Sequence, residues 1–258
     1  MRLKRPRRRA QPLPWLDILD WLAIFSWGSL LLRYWVTGQL SVLLHPDFRW
    51  LSNSAAILLL FVSAVRGWQL FQQVRRRRPV PSLGHQSLLP RQVSSGLLLV
   101  IALAGFFYTP RAFASETALQ RGVTETLGMT RGQPQQFVRS GPPEDRTIID
   151  WVRTLHVYPE PDAYTDQAVS VSGFVIHPPD WPDNYLMLSR FVITCCAADA
   201  YPVGLPVVLD GSRSAYPSDT WLQVEGRMAT DTVGEQRQLV IQPTELTEIP
   251  EPDDPYAF

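Results

Sequence analysis

Trp15-Leu16-Asp17-Ile18-Leu19-Asp20-Trp21-Leu22-Ala23-Ile24-Phe25-Ser26-Trp27-Gly28-Ser29-Leu30-Leu31-Leu32-Arg33-Tyr34-Trp35-Val36 decides how the rest of this chain reads. Its charges, Asp17, Asp20 and Arg33, stand near the two ends, where charged heads can reach an interface. About 20 apolar residues cross a bilayer, so the stretch reads as a membrane span. Two more follow. One runs from about Leu51 to Phe71, with Arg66 towards its inner end; the other, from Ser94 to Pro110, is shorter and nearly uncharged. Trp15, Trp35, Trp50 and Trp68 fall near the proposed ends, as an aromatic belt places them.

The net charge of zero conceals two opposed halves. Residues 1–111 carry 15 Lys and Arg against 3 Asp and Glu, whereas residues 112–258 carry 9 against 21. The basic residues bracket the apolar stretches and lack interleaved aromatics, so they read as membrane topology and not as a nucleic-acid surface. Arg2, Lys4, Arg5, Arg7, Arg8 and Arg9 precede the first span, and Arg75 to Arg78 with Arg91 lie between the second and third. Both clusters are expected to face the cytoplasm, leaving the Thr37–Trp50 loop and everything after Pro110 outside. The expected organisation is a basic cytoplasmic N-terminus (1–14), a three-span anchor (15–111), a linker with a short helix (112–146) and an extracytoplasmic β-domain (147–258). The plasma membrane is the expected location. Ala112-Phe113-Ala114 has the form of a signal-peptidase site, so release of the acidic half is the rival reading.

Within that half, Ser115 to Leu127 suggests a short helix with Ser115 as N-cap and Gly128 as its end. Ile148, Trp151, Val152 and Leu155 have helical spacing within Glu144 to Leu155. Five strands are expected: Ala168 to Ile176, Tyr185 to Cys195, Val203 to Leu209, Thr220 to Met228 and Gln236 to Gln242. Turn residues separate them, as at Asp210-Gly211 and Val233-Gly234. Five short strands suit a small oligonucleotide/oligosaccharide-binding (OB) type barrel with a flanking helix, Gly173 and Gly226 marking bends; a small open sandwich is the alternative. So strongly acidic a domain would repel phosphate backbones, which speaks against a nucleic-acid partner.

The chemistry concentrates at Thr194-Cys195-Cys196-Ala197-Ala198-Asp199, which holds both cysteines of the chain. Cys195, Cys196 and Asp199, with His177 from the end of the first strand, are types suited to Zn²⁺ or another divalent metal. In a regular strand the two thiols point to opposite faces, so a shared ion needs a bend. The same pair outside the cytoplasm fits a thiol-redox or stress sensor. A third reading has the thiols filling the barrel core while Asp199 caps the following turn. His45 and Asp47 after the first span, and Asp17 and Asp20 at its start, are weaker candidates for a substrate path. His85 and His156 stand singly. No Ser/His/Asp arrangement, phosphate-cradling glycine loop or H-E-x-x-H is present, so no enzyme is expected.

The order of spans, His45-Pro46, Ser172 to Val175, Arg190-Phe191 leading into Cys195-Cys196-Ala197-Ala198-Asp199-Ala200, Pro202 to Leu205 and the terminal Pro250 to Tyr256 together resemble the YcgQ-like permease-subunit family of bacterial membrane proteins. The resemblance spans nearly the whole chain. It implies an integral membrane protein working as accessory subunit beside a separate multi-span permease, and it supplies no catalytic mechanism.

Overall fold

The protein is described here by a computed structural model covering residues 15–76, 90–123, 142–234 and 236–257. The N-terminal basic cluster, Arg77 and Arg78, His85, and the linker segment 124–141 lie outside the described residues. The chain divides into two units. One comprises Met1–Leu40 and Pro46–Pro110, the other Ser41–His45 and Arg111–Phe258.

The described residues of the first unit are mainly helical: α1 (Trp15–Val36), α2 (Pro46–Arg76) and α3 (Arg91–Phe107). α1 coincides with the expected span. α2 starts at Pro46, not near Leu51, because proline is preorganised for the first helical position and Asp47 favours the first turn. At 31 residues it is about 46 Å long. α3 begins directly after Pro90, which draws Arg91 into the helix, and ends at Phe107. Two helices, Trp15–Val36 and Pro46–Gln73, are long and apolar enough to cross a membrane; α3 is shorter, at 17 residues.

Small residues let these helices approach. A Cβ on Gly28 would stand 3.0 Å from Leu60 and one on Gly67 3.0 Å from Trp21, while one on Gly105 would come within 2.6 Å of Leu30. The Trp21 indole donates to the Ser63 carbonyl (2.9 Å), and the Tyr34 hydroxyl to that of Gly105 (3.0 Å). Large apolar side chains, among them Phe25, Leu58, Phe61, Phe71 and Phe107, remain outside.

The described residues of the second unit form α4 (Ser115–Arg121), α5 (Ile148–Val157) and six strands. These are β1 (Ala168–Ile176), β2 (Tyr185–Val192), β3 (Tyr201–Val208), β4 (Trp221–Val233), β5 (Gln236–Ile249) and β6 (Tyr256–Ala257). β1 pairs antiparallel with both β4 and β2, β4 with β5, and β2 with β3. β3 and β5 run parallel, with Val207 opposite Ile241, so pairing among the five long strands returns to its start. The short β6 adds parallel to β2.

Alternation along β1 and β2 feeds two cores. Val169, Val171, Val175, Leu186, Leu188 and Val192 join one cluster, together with Ile148, Ile149, Trp151 and Val152 of α5. Phe174, Ile176, Met187, Phe191 and Ile193 join the other, where Phe113, Trp221 and Tyr256 also pack. Both faces of these strands are therefore covered, which explains their nearly continuous apolar reading.

Several boundaries differ from expectation. β2 ends at Val192 instead of running to Cys195. β4 and β5 extend well past Met228 and Gln242: residues 229–233 pair with 236–240, and β5 continues to Ile249 through a bulge at Thr244, with Pro243 opposite Gly226 and Glu245 opposite Glu225. A Cβ on Gly226 would lie 2.1 Å from the Gln242 carbonyl oxygen, so the bulge needs glycine. α4 is capped from a distance: Ala114 is its N-cap, and the Ser115 N–H donates to the Asp219 carboxylate (2.5 Å). It ends at Gly122, whose φ of 73° takes the chain out of the helix before Gly128 is reached. A 3-10 turn (Pro143–Asp145) precedes α5, so the expected Glu144–Leu155 helix starts at Ile148 behind a Thr147/Asp150 capping box.

Candidate functional site

Beyond Val192 the backbone leaves the sheet and turns through Thr194 and Cys195 into a 3-10 turn, Ala197–Asp199, with Cys196 at its N-cap. This is the bend a shared site requires. It brings the two sulfurs to 3.6 Å, far beyond a covalent S–S bond of about 2.05 Å, and both cysteines are free thiols. The Asp199 carboxylate accepts the N–H groups of Cys195 (2.9 Å) and Cys196 (3.3 Å), and the Thr194 hydroxyl. Sγ of both cysteines and a carboxylate oxygen of Asp199 lie within 4.8 Å of one another.

Electrostatics follow from those contacts. Partial burial would raise the Asp199 pKa, but hydrogen bonds from Thr194 and from the Cys195 thiol and backbone outweigh it and hold the carboxyl below its ordinary value. The Cys195 thiol is pushed up to about 11, first by its hydrogen bond to Asp199 and then by Cys196. It therefore keeps its proton at neutral pH, whereas the nucleophile and metal ligand is the thiolate. A bound cation would reverse that balance. The core-filling reading of the thiols is corrected here: Cys195 is exposed and Cys196 half-buried, because the chain has left the strand before reaching them. Asp199 does cap the turn.

The loop between α1 and α2 supplies the other side of this turn. Leu44 bridges Cys196 in antiparallel fashion, the His45 N–H donates to the Cys195 carbonyl (3.1 Å), and the Ala197 N–H donates to that of Leu43 (2.9 Å). His45 thus lies beside the thiols along the backbone, while Asp47 sits in the first turn of α2. His177 is not brought into the cluster; its Nε2 lies 2.9 Å from the Tyr216 carbonyl oxygen and donates to it. Asp17 and Asp20 both bind Arg91, Asp17 at 2.6 Å, and Asp20 also accepts from Ser95, so α1 and α3 are joined at one end.

Sequence reasoning missed a larger cavity of about 360 Å³, lined by Asp210, Ser212, Tyr216, Thr244 and Glu245 among others. Part of its wall is the bulged stretch of β5 from Pro243 to Leu246, which lies just beyond the expected end of that strand at Gln242. Two carboxylates at a polar mouth suit a cationic group.

Apolar-surfaced helices joined to a small closed-pairing β unit with a thiol turn define a membrane-helix protein carrying a compact β-domain. Residues 144–258 match the DUF1980 C-terminal domain. Over 148 residues, 57% of this chain, the sequence is 22% identical to a protein of Streptococcus mutans serotype c named "Putative two-component membrane permease complex subunit". The chain spans about half (51%) of that relative's length. The chain resembles this permease-subunit family, as its motifs suggest. No solved structure matches.

Proposed function

We propose that the chain is the membrane-anchored accessory subunit of a permease system, its β-domain presenting a small ligand or metal ion to a multi-span partner. The observation that carries this reading is the match to the Streptococcus mutans permease-complex subunit, joined to helices whose apolar side chains face outward. Three helices are few for a transporter acting alone, since many such proteins use repeated multi-span halves.

A parity argument supports three spans. Ser41–His45 and the residues after Arg111 belong to one folded unit, so α2 and α3 between them must cross the membrane together or not at all. α2 is apolar enough to cross, and the 17 residues of α3 need only slight tilt adjustment or thinning. The basic clusters then favour a cytoplasmic N-terminus and an extracytoplasmic β-domain. The cyclic strand pairing, with β3 parallel to β5, supports an OB-type barrel. Cys195, Cys196 and Asp199 offer three ligands and leave a fourth position open, a set suited to Zn²⁺ or a similar ion. Because both thiols must lose protons to bind it, affinity rises with pH.

The decisive experiment is purification of the native complex from membranes, with identification of co-purifying chains and metal analysis. A stable multi-span partner is the expected result; recovery of the chain alone under mild detergent sinks the reading. Labelling of Cys195 in intact cells by a membrane-impermeant maleimide tests orientation when carried out at alkaline pH, because a thiol whose pKa is about 11 reacts slowly at neutral pH. A thiol-redox sensor is the second reading, favoured by the 3.6 Å approach of the sulfurs. The raised Cys195 pKa weighs against it, and co-purification with a redox enzyme would restore it.

A further inference from the structure

Within the β unit, a second cleft of about 130 Å³ lies between the start of α5 and strands β1, β2 and β4. Its polar lining is Arg146, Thr147, Ser170, Ser172, Arg190 and Gln223, together with the one carboxylate of Asp145 and apolar side chains of α5 and β1. That volume is far above the ~10–15 Å³ that one water needs. It shares no residue with the thiol turn or the larger cavity.

Arg190 is the unusual member. Its guanidinium lies over the Trp221 ring (5.3 Å to the centroid), and its Nε is shielded from solvent with no hydrogen-bond partner. A ligand in the cleft would meet the part of Arg190 that lines it, while the shielded, unmatched Nε shows that the protein does not itself saturate this guanidinium. Burial lowers the Arg190 pKa despite the field of Asp254, which means that carboxylate does not fully compensate the charge. The neighbours are arranged for an acceptor as well. Arg146 stacks on Trp151 (4.7 Å) and donates to Gln167 (3.3 Å), which holds a second cation at the rim. Gln223 Nε2 donates to the Ser170 hydroxyl oxygen (2.9 Å), so Ser170 keeps its own proton for another acceptor. The α5 dipole adds a positive end, although the Asp150 N–H is already taken by Thr147.

We propose that this cleft binds a small oxyanion, of phosphate or carboxylate size, with Arg190 as its principal ligand and Arg146, Ser170 and Gln223 completing the cage. Guanidinium groups match the geometry of such anions. The overall acidity of the domain opposes long-range attraction, so recognition here is short-range and selective for groups that accept several hydrogen bonds. A free anion and the phosphate of a lipid headgroup carry the same chemistry.

The test uses the full-length protein in detergent, titrated with inorganic phosphate and, at matched ionic strength, with chloride, while Tm is followed. Phosphate should raise Tm saturably and chloride should not. Arg190→Gln should weaken the apparent affinity by roughly tenfold or more, whereas the Cys195→Ser/Cys196→Ser protein should respond as wild type. Absence of a saturable response, or an Arg190→Gln protein that responds like wild type, overturns the proposal. Should Arg190→Gln fail to fold, Gln223→Ala serves: a severalfold weaker response supports the site, and an unchanged one overturns it. Repeating the titration in nanodiscs of phosphatidylcholine with or without phosphatidic acid separates the sources. Suppression by phosphatidic acid assigns a lipid headgroup, and an undiminished phosphate response assigns a free anion.

Discussion

In α2, Leu58 and Phe61 leave 62% and 66% of their surface exposed, whereas Leu186 and Leu222 of the β unit expose none. The residue types are alike and the directions opposite. Each unit is built against the solvent it expects. The helical unit packs through glycines, serines and indole N–H groups because apolar surface gains nothing by hiding from lipid. The β unit buries the same side chains in two layers because water drives them there.

The largest test of this contrast is truncation on both sides. Leu222→Ala should cost about 2–5 kcal/mol, while Leu58→Ala should stay within about 0.5 kcal/mol, both read from thermal unfolding in detergent. Similar losses at the two sites would mean that α2 is buried in protein. Next comes Phe61→Lys, expected to disfavour insertion by about 2.5–3.5 kcal/mol if α2 crosses the bilayer near this position. A topology assay of α2 insertion checks it, because the other helices would still hold the chain in the membrane, and unchanged insertion would count against a lipid-facing Phe61.

At the thiol turn, Asp199→Asn removes the carboxylate that favours the protonated Cys195 thiol, so the pKa falls from about 11 towards the ordinary range. Alkylation of Cys195 near pH 8 should then quicken by on the order of tenfold to a hundredfold, measured with Cys196→Ser in the background. An unchanged rate would show that Asp199 does not govern the thiol. The smallest effect is expected at α5, where Thr147→Ala loses the capping box and about 1 kcal/mol. Denaturant titration would reveal it, and a loss of several kcal/mol would mean that Thr147 does more than cap.

How much of this was readable beforehand depends on how local the cause is. α1 was legible because its boundaries lie in its own residues, tryptophans and charges at either end. β1 was legible because its alternation is intrinsic. The start of α2 was hidden since Pro46 serves turns and first helical positions equally. β5 ran on because Pro243, a strand terminator in isolation, stands opposite Gly226 beside a bulge at Thr244, while β4 ran on through its hairpin with residues 236–240. The thiol turn was half visible. Residue types and the capping role of Asp199 could be read, but the 3.6 Å approach of the sulfurs depends on where β2 stops. The pairing of Leu43–His45 with that turn left no periodic trace, and neither did the Arg190 cleft, because both are contacts between distant segments.

That pairing also sets an order of events during synthesis. Leu44 emerges early, yet the residue it bridges, Cys196, is made some 150 residues later. At ~5–20 residues per second the wait is roughly 8–30 s. Through that interval the loop has no strand to join, and the β-domain cannot close its thiol turn until the intervening helices have been made. The turn therefore closes late, and only the pairings of β3, β4, β5 and β6 involve residues made after it.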